Sequence, residues 1–220
     1  MRRKGTVSIL LGFLLILAAG GLVLYNMWEN AQVSAQTQES TALVQAEIAQ
    51  IVQAQQEEKD ADTDVFGYGS ATAEPPLYVL TPEMEMPTQI IYGREYIGVL
   101  DIPSKGLSFS VISQWSDSGF QVAPCRYMGS AYTGDLIIAA HNYPSHFGSL
   151  KDLTAGDLAV FTDMDGNEFI YEMVERETIP GTAVEAMEQG EWDLTLFTCT
   201  IGGQSRVTVR FEQINEWKPY

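Results

Sequence analysis

The hydrophobic pattern changes character three times along the chain. From Val7 to Tyr25 the sequence VSILLGFLLILAAGGLVLY carries no charge, and its length suits a helix crossing a bilayer, which takes about 17–25 residues. From residue 34 to 58 the chain is rich in Ala, Gln and Glu, and Val44, Ile48 and Ile51, with Val52, recur at helical spacing. This stretch reads either as a membrane-proximal helix with a thin apolar stripe or as a solvated stalk. Residues 59–87 combine KDADTD, Gly67, Gly69, EPP and MPT, the mixture of charge, glycine and proline that marks a linker. Such a linker is either without fixed structure or draped over the domain that follows.

From about Ile90 short β-rich runs alternate with turn signals: REYIGVLDIPSKGLSFSVI, FQVAPCRYMG, TGDLIIAAH, GDLAVFTDMDGNEFIYEMVERETI and LTLFTCTIGGQSRVTVRFEQI. Strands at this spacing predict a mainly β domain, a barrel or a sandwich. Asp165-Gly166 predicts a hairpin turn between Leu158–Phe161 and Glu168–Val174. Only Gly148–Leu153 and Ala183–Glu188 leave room for short helices. Three segments result: an anchor over 1–25, a stalk helix and linker over 26–87, and the β domain over 88–220.

Charge orients this arrangement. Arg2, Arg3 and Lys4 precede the apolar run, and no basic residue follows it until Lys59. The excess of positive charge on the cytoplasmic side then leaves residues 26–220 outside the cell. A cleaved signal peptide is the competing reading, with Val33-Ser34-Ala35 as its small-residue site. Signal peptides, however, use apolar runs of about 7–15 residues, shorter than this one. The formal net charge of −17 excludes nucleic-acid binding that rests on Lys/Arg neutralisation of phosphates.

Cys125 and Cys199 are the only two cysteines. In an exported chain they invite a disulfide, yet a domain of this size needs no staple, and a working thiol is the alternative. A cysteine nucleophile needs a base or cationic partner and a donor for the oxyanion. Of two histidines, His141 ends the apolar run DLIIAA, where a side chain faces a cleft, and His146 follows in the loop NYPSHFGSL. If Thr195–Thr200 and Ser205–Phe211 form adjacent strands joined by IGGQ, Arg206 returns close to Cys199 and offers fixed donors. Arg210 faces the same side and is the second choice, or else a surface charge. Asp163 and Asp165 do not meet the ligand spacing of an EF-hand calcium loop, so no metal or other cofactor is expected.

TLFTC, Thr195 to Cys199, matches the TLxTC motif of sortases, the Gram-positive cell-surface transpeptidases. CTIGGQSRVTVR resembles the family's cysteine strand, loop and arginine strand, and YMGSAYTGDLIIAAHN resembles the strand ending in its histidine. The resemblance runs over roughly residues 90–212. One departure is Ala140 where many relatives have glycine before the histidine. HNYPSHFGSL looks somewhat like class B, whereas the short spacing of 58 from His141 to Cys199 (199 − 141) looks unlike its long insertion. The subclass therefore stays between a class B-like and a class D/E-like pattern. Asp64-Val65-Phe66 faintly resembles the class C lid but lacks its proline, and reads as linker.

The resemblance implies an eight-stranded sortase-type β-barrel with a groove holding His141, Cys199 and Arg206. Thr198, beside the cysteine, reads either as positioning the substrate carbonyl or as a strand threonine with good β-propensity. The resemblance also implies a cysteine transpeptidase that cleaves an LPxTG-like sorting signal and transfers the acyl group to an amine of peptidoglycan or of a pilin. Two other functions share these features. One is an extracellular cysteine hydrolase using the same Cys199 and His141. The other is a membrane-anchored binding module in which LTLFTC is plain core. Cys125 reads as a small buried residue.

Overall fold

A computed structural model describes residues 2–66 and 75–215. The first element, α1 (Arg2–Phe66), is a single uninterrupted helix of 65 residues. It joins the apolar run and the polar stretch without a break. Its apolar N-terminal part is uncovered by the rest of the protein and is a candidate membrane span. Tyr25 and Trp28, with ring centroids 6.3 Å apart, close that part, as aromatic side chains do at membrane interfaces.

The polar part of α1 is docked rather than solvated. Val44 and Ile48 are buried, and with half-buried Ile51 they pack against Tyr96, Val99, Ile112 and Met164, contributing about 1.5–3 kcal/mol for each fully buried side chain. Beside this stripe Thr37, Ser40 and Thr41 are also buried. Their small size brings the helix close, and their hydroxyls bond the barrel. Thr41 Oγ1 accepts from the Ser110 backbone N–H at 2.8 Å, and the Ser40 and Ser110 hydroxyls lie 2.9 Å apart. The strand holding Ser110 is paired on one side and barely on the other, so the helix satisfies part of an edge that would otherwise stay open.

Nine strands follow: β1 (Gln89–Ile91), β2 (Arg94–Ile102), β3 (Leu107–Ile112), β4 (Cys125–Met128), β5 (Leu136–Ala139), β6 (Leu158–Asp163), β7 (Glu168–Pro180), β8 (Leu194–Cys199) and β9 (Ser205–Gln213). The sheet order is β1-β2-β3-β4-β5-β8-β9-β7-β6, and β6 pairs back onto β2. Strands β2 to β9 thus close an eight-stranded barrel, and β1 is a three-residue addition to β2. The β3–β4 seam is thin, with one parallel pair, Ile112 to Cys125. Alternation along each strand sends Leu100, Phe109, Ile138, Phe161, Leu196 and Phe211 into the interior.

The hairpin at Asp165-Gly166 forms as the turn pair predicts, with Phe161 opposite Phe169, although β7 runs six residues past Val174 to Pro180. Both oxygens of buried Asp163 are taken up by that turn and by Tyr132: Oδ1 accepts from the N–H groups of Asp165 and Asn167, and Oδ2 from the Tyr132 hydroxyl and the Asn167 amide. Short helices stand where room was left for them, as a 3-10 turn over Phe147–Asp152 and as α4 (Val184–Glu188). Two more, α2 (Leu77–Leu80) and α3 (Asp117–Phe120), lie in stretches read as linker and loop.

The expected linker over 59–87 is only partly so. Residues 59–66, including Asp64-Val65-Phe66, continue α1; residues 67–74 lie outside the described residues; and 75–87 lies on the barrel, with Met86 buried and Tyr78 stacked on Tyr132 at 4.8 Å.

Candidate active site

Register brings the candidate residues together. β5 and β8 run parallel with Leu136 beside Leu194 and Ala139 beside Phe197. Extending that offset by two residues sets His141 beside Cys199. Two bonds carry the pairing past the strand end: Ala140 N–H donates to the Phe197 carbonyl at 3.2 Å, and Thr198 Oγ1 donates to the Ala140 carbonyl at 2.7 Å. In the antiparallel β8–β9 ladder Cys199 lies directly opposite Arg206, and in β7–β9 Arg206 lies opposite Ile179. His141, Cys199, Arg206 and Ile179 thus form one row across β5, β8, β9 and β7 on the outer face of the barrel. Ile179 joins Ile137, Ala139, Phe197 and Met187 in an apolar floor beside the row, with Tyr127 edge-on to Phe197 at 5.5 Å.

Cys199 is half-buried and free, and Cys125 is buried and also free, so no disulfide joins them. Burial pushes the Cys125 thiol up to about 11, the state of a small core residue rather than a nucleophile.

The His141 ring packs against Phe120 (4.2 Å between centroids) and Tyr143 (5.0 Å). Its Nε2 is buried without a hydrogen-bond partner among the described residues, and burial lowers its pKa. The following loop is tightly closed: Phe147 N–H donates to the His141 carbonyl at 3.0 Å, and Gly148 N–H to the Tyr143 carbonyl at 2.9 Å. A Cβ at Gly148 would stand 2.6 Å from the Asn142 carbonyl oxygen, so only glycine fits. His146, wholly buried in this loop, is pushed down to about 4, first by burial and then by the charge of His141.

Arg206 is half-buried, and its Nη1 donates to the carbonyls of Gly203 and Ser205 at 3.1 and 3.3 Å. Arg210 has a different role. It is 2% exposed, pairs with Glu177 at 3.0 Å and donates to the Thr195 hydroxyl and to the carbonyls of Ala186 and Met187. It pins α4 to the sheet over the apolar floor. Thr198, read above as positioning the substrate carbonyl, is buried on the other face of β8 from Cys199, and its hydroxyl is bound to Ala140. It fixes the backbone just ahead of His141. Sequence reasoning missed Arg210's structural role, because an even spacing on a strand says which side a residue faces and not what covers that side.

A family model described as Sortase domain matches residues 100–213. The chain belongs to the sortase family. Membership carries cysteine transpeptidation as its general activity, and the barrel agrees. Sortase C of Streptococcus pneumoniae superposes with a TM-score of 0.55 at 20% identity, covering 83% of this chain and 100% of that one. Sortase C1 of Streptococcus agalactiae gives 0.55 at 18%, covering 81% and 100%. A sortase D5 transpeptidase of Clostridium perfringens gives 0.50 at 21%, covering 58% and 83%. At these identities the likeness is one of fold, and it assigns no subclass. No curated protein matches the chain significantly.

Proposed function

We propose that Cys199, His141 and Arg206 are the catalytic set of this sortase, that its substrate is an LPxTG-like sorting signal, and that its acceptor is an amine of peptidoglycan or of a pilin. The observation that carries the reading is the cross-strand row: a free thiol with an unpaired imidazole nitrogen on one flank and a guanidinium opposite in the ladder.

The Cys199 thiolate attacks the carbonyl carbon of the signal's threonine. A C–S bond forms as the C–N bond to the following glycine breaks, and protonated His141 supplies the proton that the leaving amine takes. The incoming amine then attacks the thioester, gives its proton to His141 and displaces the thiolate, so atoms and charge return to their starting places. Arg206 donates to the oxyanion in both tetrahedral states. In the cell, α1 spans the membrane once and the barrel stands outside, with Arg2, Arg3 and Lys4 at the cytoplasmic end.

The test is to incubate the full chain in detergent with a panel of LPxTG-like peptides, with and without triglycine, and to follow products by mass spectrometry. Amine-dependent ligation that disappears in Cys199→Ala is the expected result. Cleavage indifferent to triglycine would make the protein a hydrolase. Absence of any covalent adduct on Cys199 across the panel would point to a binding module.

A further inference from the structure

His141 packs against two aromatic rings, and these belong to different segments. Phe120 comes from α3, just before Val122, and Tyr143 comes from the 141–148 loop, just before His146. One hydroxyl on α1 reaches both segments. Thr37 Oγ1 lies 2.9 Å from the Val122 carbonyl and 2.9 Å from His146 Nε2. Its single proton is shared between the carbonyls of Val122 and Val33, so it receives the Nε2 proton of His146. The His146 ring in turn lies nearly parallel to His141, 17° apart in plane and 6.5 Å between centroids, and 5.9 Å from Tyr143.

We propose that Thr37 and His146 are a positioning pair, through which the docking of α1 fixes the ring of the candidate acid/base His141. The inference rests on the reading of His141 given above. A phenylalanine would fill the His146 site with less desolvation cost; what histidine adds is one directed bond to a helix 109 residues away in sequence. Burial keeps that ring neutral at working pH, so its contribution is orientation and not charge. Misplacing a catalytic group by about 1 Å costs up to roughly a hundredfold in rate, and loosening one of two flanks is a smaller change than that.

The experiment uses the full chain in detergent and the LPxTG-like peptide turned over fastest, with triglycine. Thr37→Val and His146→Phe are each expected to lower kcat roughly tenfold while KM stays within about a factor of two. Thr37→Ser, which keeps the hydroxyl, restores most of kcat. The double variant falls no further than the worse single one, because His146 acts only through its bond to Thr37. A substrate-free reading comes from alkylation of Cys199 by iodoacetamide, which should slow in Thr37→Val as His141 loses its place beside the thiol. Normal kcat and normal alkylation in Thr37→Val, equal losses in Thr37→Ser and Thr37→Val, or multiplicative losses in the double variant would each overturn the inference. Should His146→Phe fail to fold, the Thr37 variants decide alone. His141→Ala, run alongside, separates the two claims: its survival overturns the assignment of His141, whereas a dead His141→Ala with a normal Thr37→Val overturns only the positioning pair.

Discussion

Arg206 stands directly opposite Cys199 in the β8–β9 ladder, whereas Arg210, four residues along the same strand and on the same face, is buried and bound to Glu177 and to two carbonyls of α4. Two arginines that a strand pattern cannot tell apart have taken different tasks, and substitution separates them.

Arg206→Lys keeps the charge and removes the planar fork. Turnover of the best LPxTG-like peptide is expected to fall roughly a hundredfold or more, the scale of losing an oxyanion donor, with the urea midpoint unchanged. A lysine variant with wild-type kcat would remove Arg206 from the mechanism.

Arg210→Met should act on stability instead. It leaves the Thr195 hydroxyl and the carbonyls of Ala186 and Met187 without their donor, and Glu177, 36% exposed, without its partner. A loss of about 2–4 kcal/mol is expected, measured by urea unfolding. A shift under about 0.5 kcal/mol would mean that α4 is held by its apolar contacts alone.

The two thiols should differ in reactivity. With Cys125 buried and pushed up to about 11, iodoacetamide at pH 8 is expected to modify Cys199 alone, as peptide mapping would show, and Cys125→Ser should remain active. The raised thiol also sets a sign. Stability from keeping Cys125 neutral is complete below its ordinary pKa of about 8.5 and is lost as pH rises from there through about 11.

His146 titrates in the opposite sense. Its folded pKa of about 4 lies below the ordinary value of about 6.5, so the unfolded chain binds more protons between them and stability falls as pH drops through that window. The slope is at most about 1.4 kcal/mol per pH unit, and half-buried His141 adds to it in the same direction. His146→Phe should flatten the acid side of the stability profile; parallel profiles from pH 7 to 4 would show that the ring is not buried neutral.

Much of the fold was legible because its signals are local. β-Rich runs between turn signals marked the strands, Asp165-Gly166 marked the hairpin, and the IGGQ turn between Cys199 and Arg206 marked the ladder. What escaped depends on contacts distant in sequence. Thr37, Ser40 and Thr41 look like the surface of a polar helix, and nothing in their own segment says that β3 leaves an edge for them to bond. His146 looks like a loop histidine until Thr37 is placed against it. Thr198 looks like a neighbour of the proposed nucleophile, yet alternation turns it to the other face of the strand, where its partner is Ala140.

The unbroken α1 has one more consequence. In the membrane-anchored arrangement proposed above, Tyr25 marks the outer boundary of the span, and Thr37 follows twelve residues later, about 18 Å along the helix. The catalytic domain is therefore carried on a strut and not on a leash. Its height and heading above the lipid are set by the helix, and a partner held in the same membrane meets the groove from a narrow range of directions. An enzyme mounted in this way turns a search through volume into a search across a surface.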